Sequence, residues 1–169
     1  SPYHLGKVDE RESRMGDRAR DVGLPILYAH LTGGQDEVVF EGRTAHSARP
    51  WQGDNAIHKA GALLSELGAL SPEEVVIDQM LYRAVTTATL ADGGRGRNVV
   101  PDRFRLNINH RFPPGRSPEE AQAYVRGLIG DRARVTFTDV SPSAMPFATH
   151  PLVVALRESG TRSVEPKQA

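Results

Sequence analysis

From about residue 36 onward, alternation and helical spacing divide the chain into short, well-marked segments. Asp36 to Glu41 (DEVVFE) reads as a strand. Asp54 or Asn55 can cap the helix that follows, in which Ile57, Ala60, Leu64 and Leu67 recur at helical spacing before Gly68 and Pro72 end it. Two extended stretches come next, Glu74 to Leu90 and Arg103 to Phe112, separated by the turn Asp92-Gly93-Gly94-Arg95-Gly96. In the second, Phe104, Leu106, Ile108, His110 and Phe112 alternate with Arg105, Asn107, Asn109 and Arg111, which makes one face apolar and the other polar. Ser117-Pro118-Glu119-Glu120 sets Ser at an N-cap, Pro at the first helical position and Glu three residues after the cap, a capping box. The helix it starts carries a stripe of Ala121, Tyr124, Val125, Leu128 and Ile129, and Arg134 to Val140 supplies a last strand.

The order is β-α-β-β-α-β, which predicts an α+β fold: a ferredoxin-like antiparallel sheet with two helices on one face, over residues 36–140. The flanks read differently. Residues 7–22 form a charge-dense helical segment with a thin apolar line (Val8, Met15, Ala19, Val22) leading into a buried-type strand, Leu24 to Leu31, so residues 1–35 are expected to add an N-terminal α-β segment. Residues 141–149 read as a linker, His150 to Ser159 as a short helix, and Thr161 to Ala169 has little to bury.

Composition narrows the function. With 21 basic and 21 acidic residues the net charge is zero, which gives no electrostatic case for nucleic acid or an anionic membrane. The apolar runs are too short to cross a bilayer and the N-terminus lacks a signal-peptide pattern, so a cytoplasmic location is expected. The absence of cysteine removes disulfides, thiolate nucleophiles and thiolate metal sites together.

The chemistry-bearing stretch is Gly42-Arg43-Thr44-Ala45-His46-Ser47-Ala48-Arg49-Pro50, a histidine in a tight loop between a strand and a helix cap. Read alone, it fits a solvent-exposed loop histidine equally well. The six histidines show neither His-x-x-x-His nor His-x-His spacing, so no metal site is expected in this chain. Gly94-Arg95-Gly96 lacks the third glycine and the following helix of a dinucleotide loop.

GRTAHSARPWQGDNAIHKA, followed by GGRGRNVVPD and LNINHRFPPGRSPEEA, resembles the M20 family of metallopeptidases, and within it the succinyl-diaminopimelate desuccinylases, from about Val38 to Ala169. In that family such a region is the lid or dimerisation domain of a zinc enzyme. The resemblance implies a homodimer in which His46 reaches the partner subunit's active site to stabilise an oxyanion, while Asn98 and Arg111 hold the carboxylate ends of a small dicarboxylate. It also implies that zinc and the general base belong to motifs outside this lid, leaving no cofactor here and a chain that is non-catalytic by itself. Without the resemblance, Arg111 reads better as a solvated strand arginine.

Residues 1–42 do not resemble that family. SPYHLGK, the Arg/Glu-rich helix, LPILY and GGQDEVVFEG resemble the nitrilase-type glutaminase domain of glutamine-dependent NAD synthetase. Phe40 and Gly42 suit both families, so the expectation is a chimera, recombined or designed, with its crossover between about Gln35 and Arg43. Nitrilase chemistry needs a cysteine that this chain lacks. Three functions follow: a structural lid, a partial metallohydrolase with residual amide hydrolysis, or a dicarboxylate-binding module. An uncovered sheet edge favours self-association, unless Leu24 to Leu31 covers that edge.

Overall fold

The antiparallel sheet at the centre of the molecule follows from the period-two pattern. In a computed structural model that describes residue 17, residues 33–143 and residues 145–159, β1 (Gly33–Glu41) and β6 (Arg103–Arg111) pair along their whole length, with Val38 opposite Leu106 and Phe40 opposite Phe104. The chain divides between His30 and Leu31, and every described residue except Asp17 lies in the C-terminal unit. The expected helix over 7–22, the strand Leu24 to Leu31 and the tail from Thr161 therefore fall outside the described residues.

Five strands form the main sheet in the order β3 (Glu73–Ile77), β4 (Met80–Gly93), β6, β1, β7 (Arg134–Ser141), with every ladder antiparallel. A second, two-stranded sheet pairs β2 (Ala45–His46) with β5 (Val99–Val100). The helices are α1 (Ala56–Lys59), α2 (Gly61–Ala69), α3 (Pro118–Ile129) and α4 (Pro151–Glu158). One apolar cluster joins Val38, Phe40, Phe104, Leu106 and Ile108 of the sheet to Ala56, Ala60, Leu63 and Leu67 of the α1–α2 segment and Val125 and Ile129 of α3. Both helical segments therefore cover one sheet face, and arginines, acids and amides stand on the other. There Arg105 bonds Asp92 at 3.0 Å and Asn107 bonds Thr89 at 2.6 Å.

The expected capping box is present: Ser117 Oγ accepts the Glu120 N–H at 3.1 Å, and a Glu120 carboxylate oxygen accepts the Ser117 N–H at 2.7 Å. Three expectations need correction. The stretch from Glu74 to Leu90 is not one strand but a hairpin, β3–β4, turning through Asp78 and Gln79, both at positive φ (50° and 64°). The first helix is broken at Ala60, and its buried stripe is Ala56, Ala60, Leu63 and Leu67, while Ile57 and Leu64 are exposed. Ala60 and Leu67 are buried as expected, and the Ala56 N–H bonds the Pro101 carbonyl at 3.0 Å, which holds the helix start against the turn before β6. Tyr124, expected in the α3 stripe, stands at the edge of the packed face and stacks on His110 at 4.8 Å between ring centres.

Candidate functional site

His46 sits in a loop whose backbone is fastened at several points. β1 leaves the sheet at Gly42, where a Cβ would lie 2.1 Å from the Asp54 carbonyl oxygen, so only glycine lets the two backbones pass. Arg43 and Asp54 exchange both backbone hydrogen bonds at 2.9 Å, and the Gly42 N–H reaches the Asp102 carbonyl at 2.7 Å. The loop's far end is the start of α1, where Asn55 Oδ1 accepts the Ile57 and His58 N–H groups at 2.9 and 3.3 Å. Lys59 closes the base by donating to the Glu41 carbonyl at 2.8 Å and pairing with Asp54.

Within this frame His46 lies opposite Val99, and the Ser47 N–H donates to the Asn98 carbonyl at 2.8 Å, so Asn98 lies just beyond the His46 rung of the β2–β5 ladder. Both side chains are exposed. The Ala48 N–H donates to His46 Nδ1 at 3.1 Å, so the uncharged ring carries its proton on Nε2, which makes Nε2 the donor. The Arg49 N–H bonds the His46 carbonyl at 2.8 Å and completes the turn that aims the ring.

Arg111 is elsewhere. It closes β6 on the helix-free face, opposite Gly33 of β1 and Val85 of β4, and is half buried. β6 begins just after the Asn98 turn and runs eight residue steps to Arg111. At ~3.4 Å per step β6 is roughly 27 Å long, with the Asn98 turn before its start and Arg111 at its end. The structure thus brings His46 and Asn98 together and leaves Arg111 at the other end of the sheet.

Two buried ionisable groups went unnoticed as such in the sequence. Among the described residues, Asp36 and His110 are the buried polar side chains of the core face, and both line a cavity of about 10 Å³ beneath α3. His110 Nδ1 is bonded to Thr86 Oγ1 at 2.8 Å, whereas Asp36 Oδ1 and His110 Nε2 have no protein partner. Burial pushes the Asp36 carboxyl up from the ordinary 3.8 to about 7, against the pull of the Arg126 guanidinium. Burial, helped by the nearby Arg116 charge, pushes His110 down from 6.5 to about 4. Alternation had placed His110 on the apolar face; for Asp36, read only as a strand residue, the same alternation with Val38 and Phe40 was the available signal.

Among the described residues, no three His, Cys, Asp or Glu side chains come together to hold a metal ion, and no helix is long and apolar enough to cross a membrane.

Residues 27–136 match the model of the M20 peptidase dimerisation domain. A protein of Mycobacterium tuberculosis provisionally named succinyl-diaminopimelate desuccinylase DapE is 39% identical over 127 residues, 75% of this chain and 36% of that protein, so the chain spans about a third of this relative's length. Glutamine-dependent NAD(+) synthetases are also similar: that of Xylella fastidiosa is 35% identical over 101 residues (50% of this chain, 18% of that protein). That of Rhodobacter capsulatus is 48% identical over 42 residues (25% and 8%). Among solved structures, the aminopeptidase PepT of Bacillus cereus superposes with a TM-score of 0.59 at 17% identity, covering 82% of this chain and 38% of that one, a likeness of fold. By the extent of the domain match and the strand and helix order it covers, this chain belongs to the M20 peptidase dimerisation-domain family.

Proposed function

We propose that the chain is the lid and dimerisation module of a desuccinylase-like M20 amide hydrolase, ferredoxin-like in topology, which pairs with a second copy of itself in the cytoplasm and does no catalysis alone. The sheet order β7-β1-β6-β4 and the two helical segments on one face support the topology. The observation that carries the functional reading is the bond from the Ala48 N–H to His46 Nδ1, which leaves Nε2–H as an exposed donor on a fastened loop. A pre-aimed donor is what a developing oxyanion needs, and one such donor is worth on the order of 100- to 1000-fold in rate when the remaining machinery is present.

Asn98 adds an amide beside that donor, and Arg111 offers a planar fork to a carboxylate. A strand of roughly 27 Å lies between the Asn98 turn and Arg111, longer than a small dicarboxylate, so one chain's His46 and Asn98 serve a different substrate molecule from its own Arg111. A complete set then requires two chains, with His46 acting in trans. The zinc used by the parent family does not fit the described residues, since no ligand cluster is assembled among them. Amide hydrolysis needs an activated water and a general base in addition to oxyanion stabilisation.

We read residues 1–35 as a nitrilase-like segment, 36–140 as the lid and 141–169 as a linker with part of a return segment, joined as a chimera between about Gln35 and Arg43. Similarity to both desuccinylases and NAD(+) synthetases supports this. A join there falls within β1, where ladder hydrogen bonds are made by backbone whatever the side chains.

The test is an N-succinyl-diaminopimelate hydrolysis assay with and without added zinc, alongside light scattering. No turnover above background and a mass of two chains are expected. Zinc-dependent turnover lost on His46→Ala would favour the partial-metallohydrolase reading, and a monomer at all concentrations would defeat the pairing. Succinate binding that falls on Arg111→Ala would make the chain a dicarboxylate-binding module as well.

A further inference from the structure

Four residues form one row across the end of the sheet: Val85 on β4, Arg111 on β6, Gly33 on β1 and Ser141 on β7. A Cβ placed on Gly33 would fall 2.5 Å from both Cδ and Nη1 of Arg111 and 3.0 Å from Cζ. The arginine therefore folds across β1 through the space that the missing side chain leaves, rather than standing free in solvent. Backbone freedom does not explain the glycine. The described glycines at positive φ are Gly94, Gly115 and Gly130, and Gly33 lies in regular β-strand pairing that any residue can adopt. Whatever the origin of the glycine, the space it leaves is the space the guanidinium occupies.

We propose that Gly33 is a positioning residue for Arg111: the gap it leaves seats the guanidinium over β1 and fixes the direction in which its donor fork meets a carboxylate. This rests on the reading of Arg111 as a carboxylate-binding group. An arginine already seated loses less side-chain freedom when it binds, which is the advantage of preorganisation. The atoms that a new Cβ would meet are the far end of a flexible side chain, not backbone. Gly33→Ala therefore displaces the arginine while leaving the sheet intact, and this separates positioning from folding.

The experiment is a succinate titration of the full chain by NMR on the wild type, Gly33→Ala, Arg111→Ala and the double variant, each with its urea unfolding midpoint and its Arg111 Nε–H resonance. Gly33→Ala is expected to weaken succinate about tenfold, shift the Nε–H resonance and leave the midpoint unchanged. The double variant should bind no more weakly than Arg111→Ala alone. Wild-type affinity in Gly33→Ala, with an unmoved resonance, overturns the proposal. If the wild type binds no succinate, the carboxylate reading fails by itself. The seating is then judged by the resonance and by phenylglyoxal labelling of Arg111, which should quicken several-fold in Gly33→Ala; unchanged labelling overturns it.

Discussion

Replacing Asp36 with asparagine keeps the shape of the side chain and removes its charge, and the expected result is a protein whose added stability depends on pH. Asp36 is 1% exposed, and burial raises its carboxyl from 3.8 to about 7. Because the folded-state value lies above the unfolded one, the folded protein holds this proton more tightly. Stability from this group is complete below about 4 and is lost as pH rises towards about 7. At 1.36 kcal/mol per pH unit the difference corresponds to ~4 kcal/mol. The carboxyl lies near the start of β1 with Arg126 close by, and buried sites in proteins respond with an effective dielectric far above that of dry protein, so about 2 kcal/mol is the expected cost. His110 acts in the opposite sense. Its folded value of about 4 lies below the ordinary 6.5, so its neutral form makes stability rise with pH between those values. In the wild type the two slopes oppose each other from about pH 4 to 6.5, and the stability profile should be nearly flat there. Asp36→Asn removes one slope and exposes the other. Urea unfolding followed by circular dichroism should show little difference from wild type at pH 4 and a gain of about 2 kcal/mol at pH 8. An equal effect at both pH values would mean that burial leaves the carboxyl where it is in the unfolded chain, and a loss that grows with pH would mean that the carboxylate is ionised and well paired in the folded protein; either would refute the reasoning.

Gly42→Ala brings a Cβ against the Asp54 backbone, which cannot yield as a side chain can; a loss of about 3 kcal/mol or more in the same urea experiment is expected, and wild-type stability would contradict the close approach. Ser117→Ala deletes one half of the capping box and should cost about 1 kcal/mol, read as a lower unfolding midpoint with unchanged urea dependence.

The elements fixed by local chemistry were legible from sequence. Ser117, Pro118 and Glu120 sit within four residues of one another and specify a helix start without reference to the rest of the fold. The alternation from Phe104 to His110 likewise predicted the buried side of β6, because a strand covered on one face repeats every two residues. The hairpin at Asp78-Gln79 was missed because its two central residues adopt positive φ without the glycine that usually signals such a turn. The helix stripe was right at Ala60 and Leu67 and one residue out at Ile57 and Leu64, where Ala56 and Leu63 are buried instead; the helix start is tied to Pro101, 45 positions away, a contact that helical spacing alone does not carry. The site was legible only in part for the same reason. His46 and Asn98 are brought together by a two-residue ladder between distant segments, and no local pattern encodes that pairing.

The His46 loop is held by main-chain bonds: Gly42 to Asp102, Arg43 with Asp54, Ser47 to Asn98 and Ala56 to Pro101. Such bonds are indifferent to the side chains they pass beneath. Arg49, Trp51 and Gln52, exposed on the outer surface of the loop, can therefore be exchanged without moving the histidine. Substitution can change the chemistry of that surface while the imidazole keeps its place, so within a dozen residues the loop uncouples where the ring sits from what surrounds it.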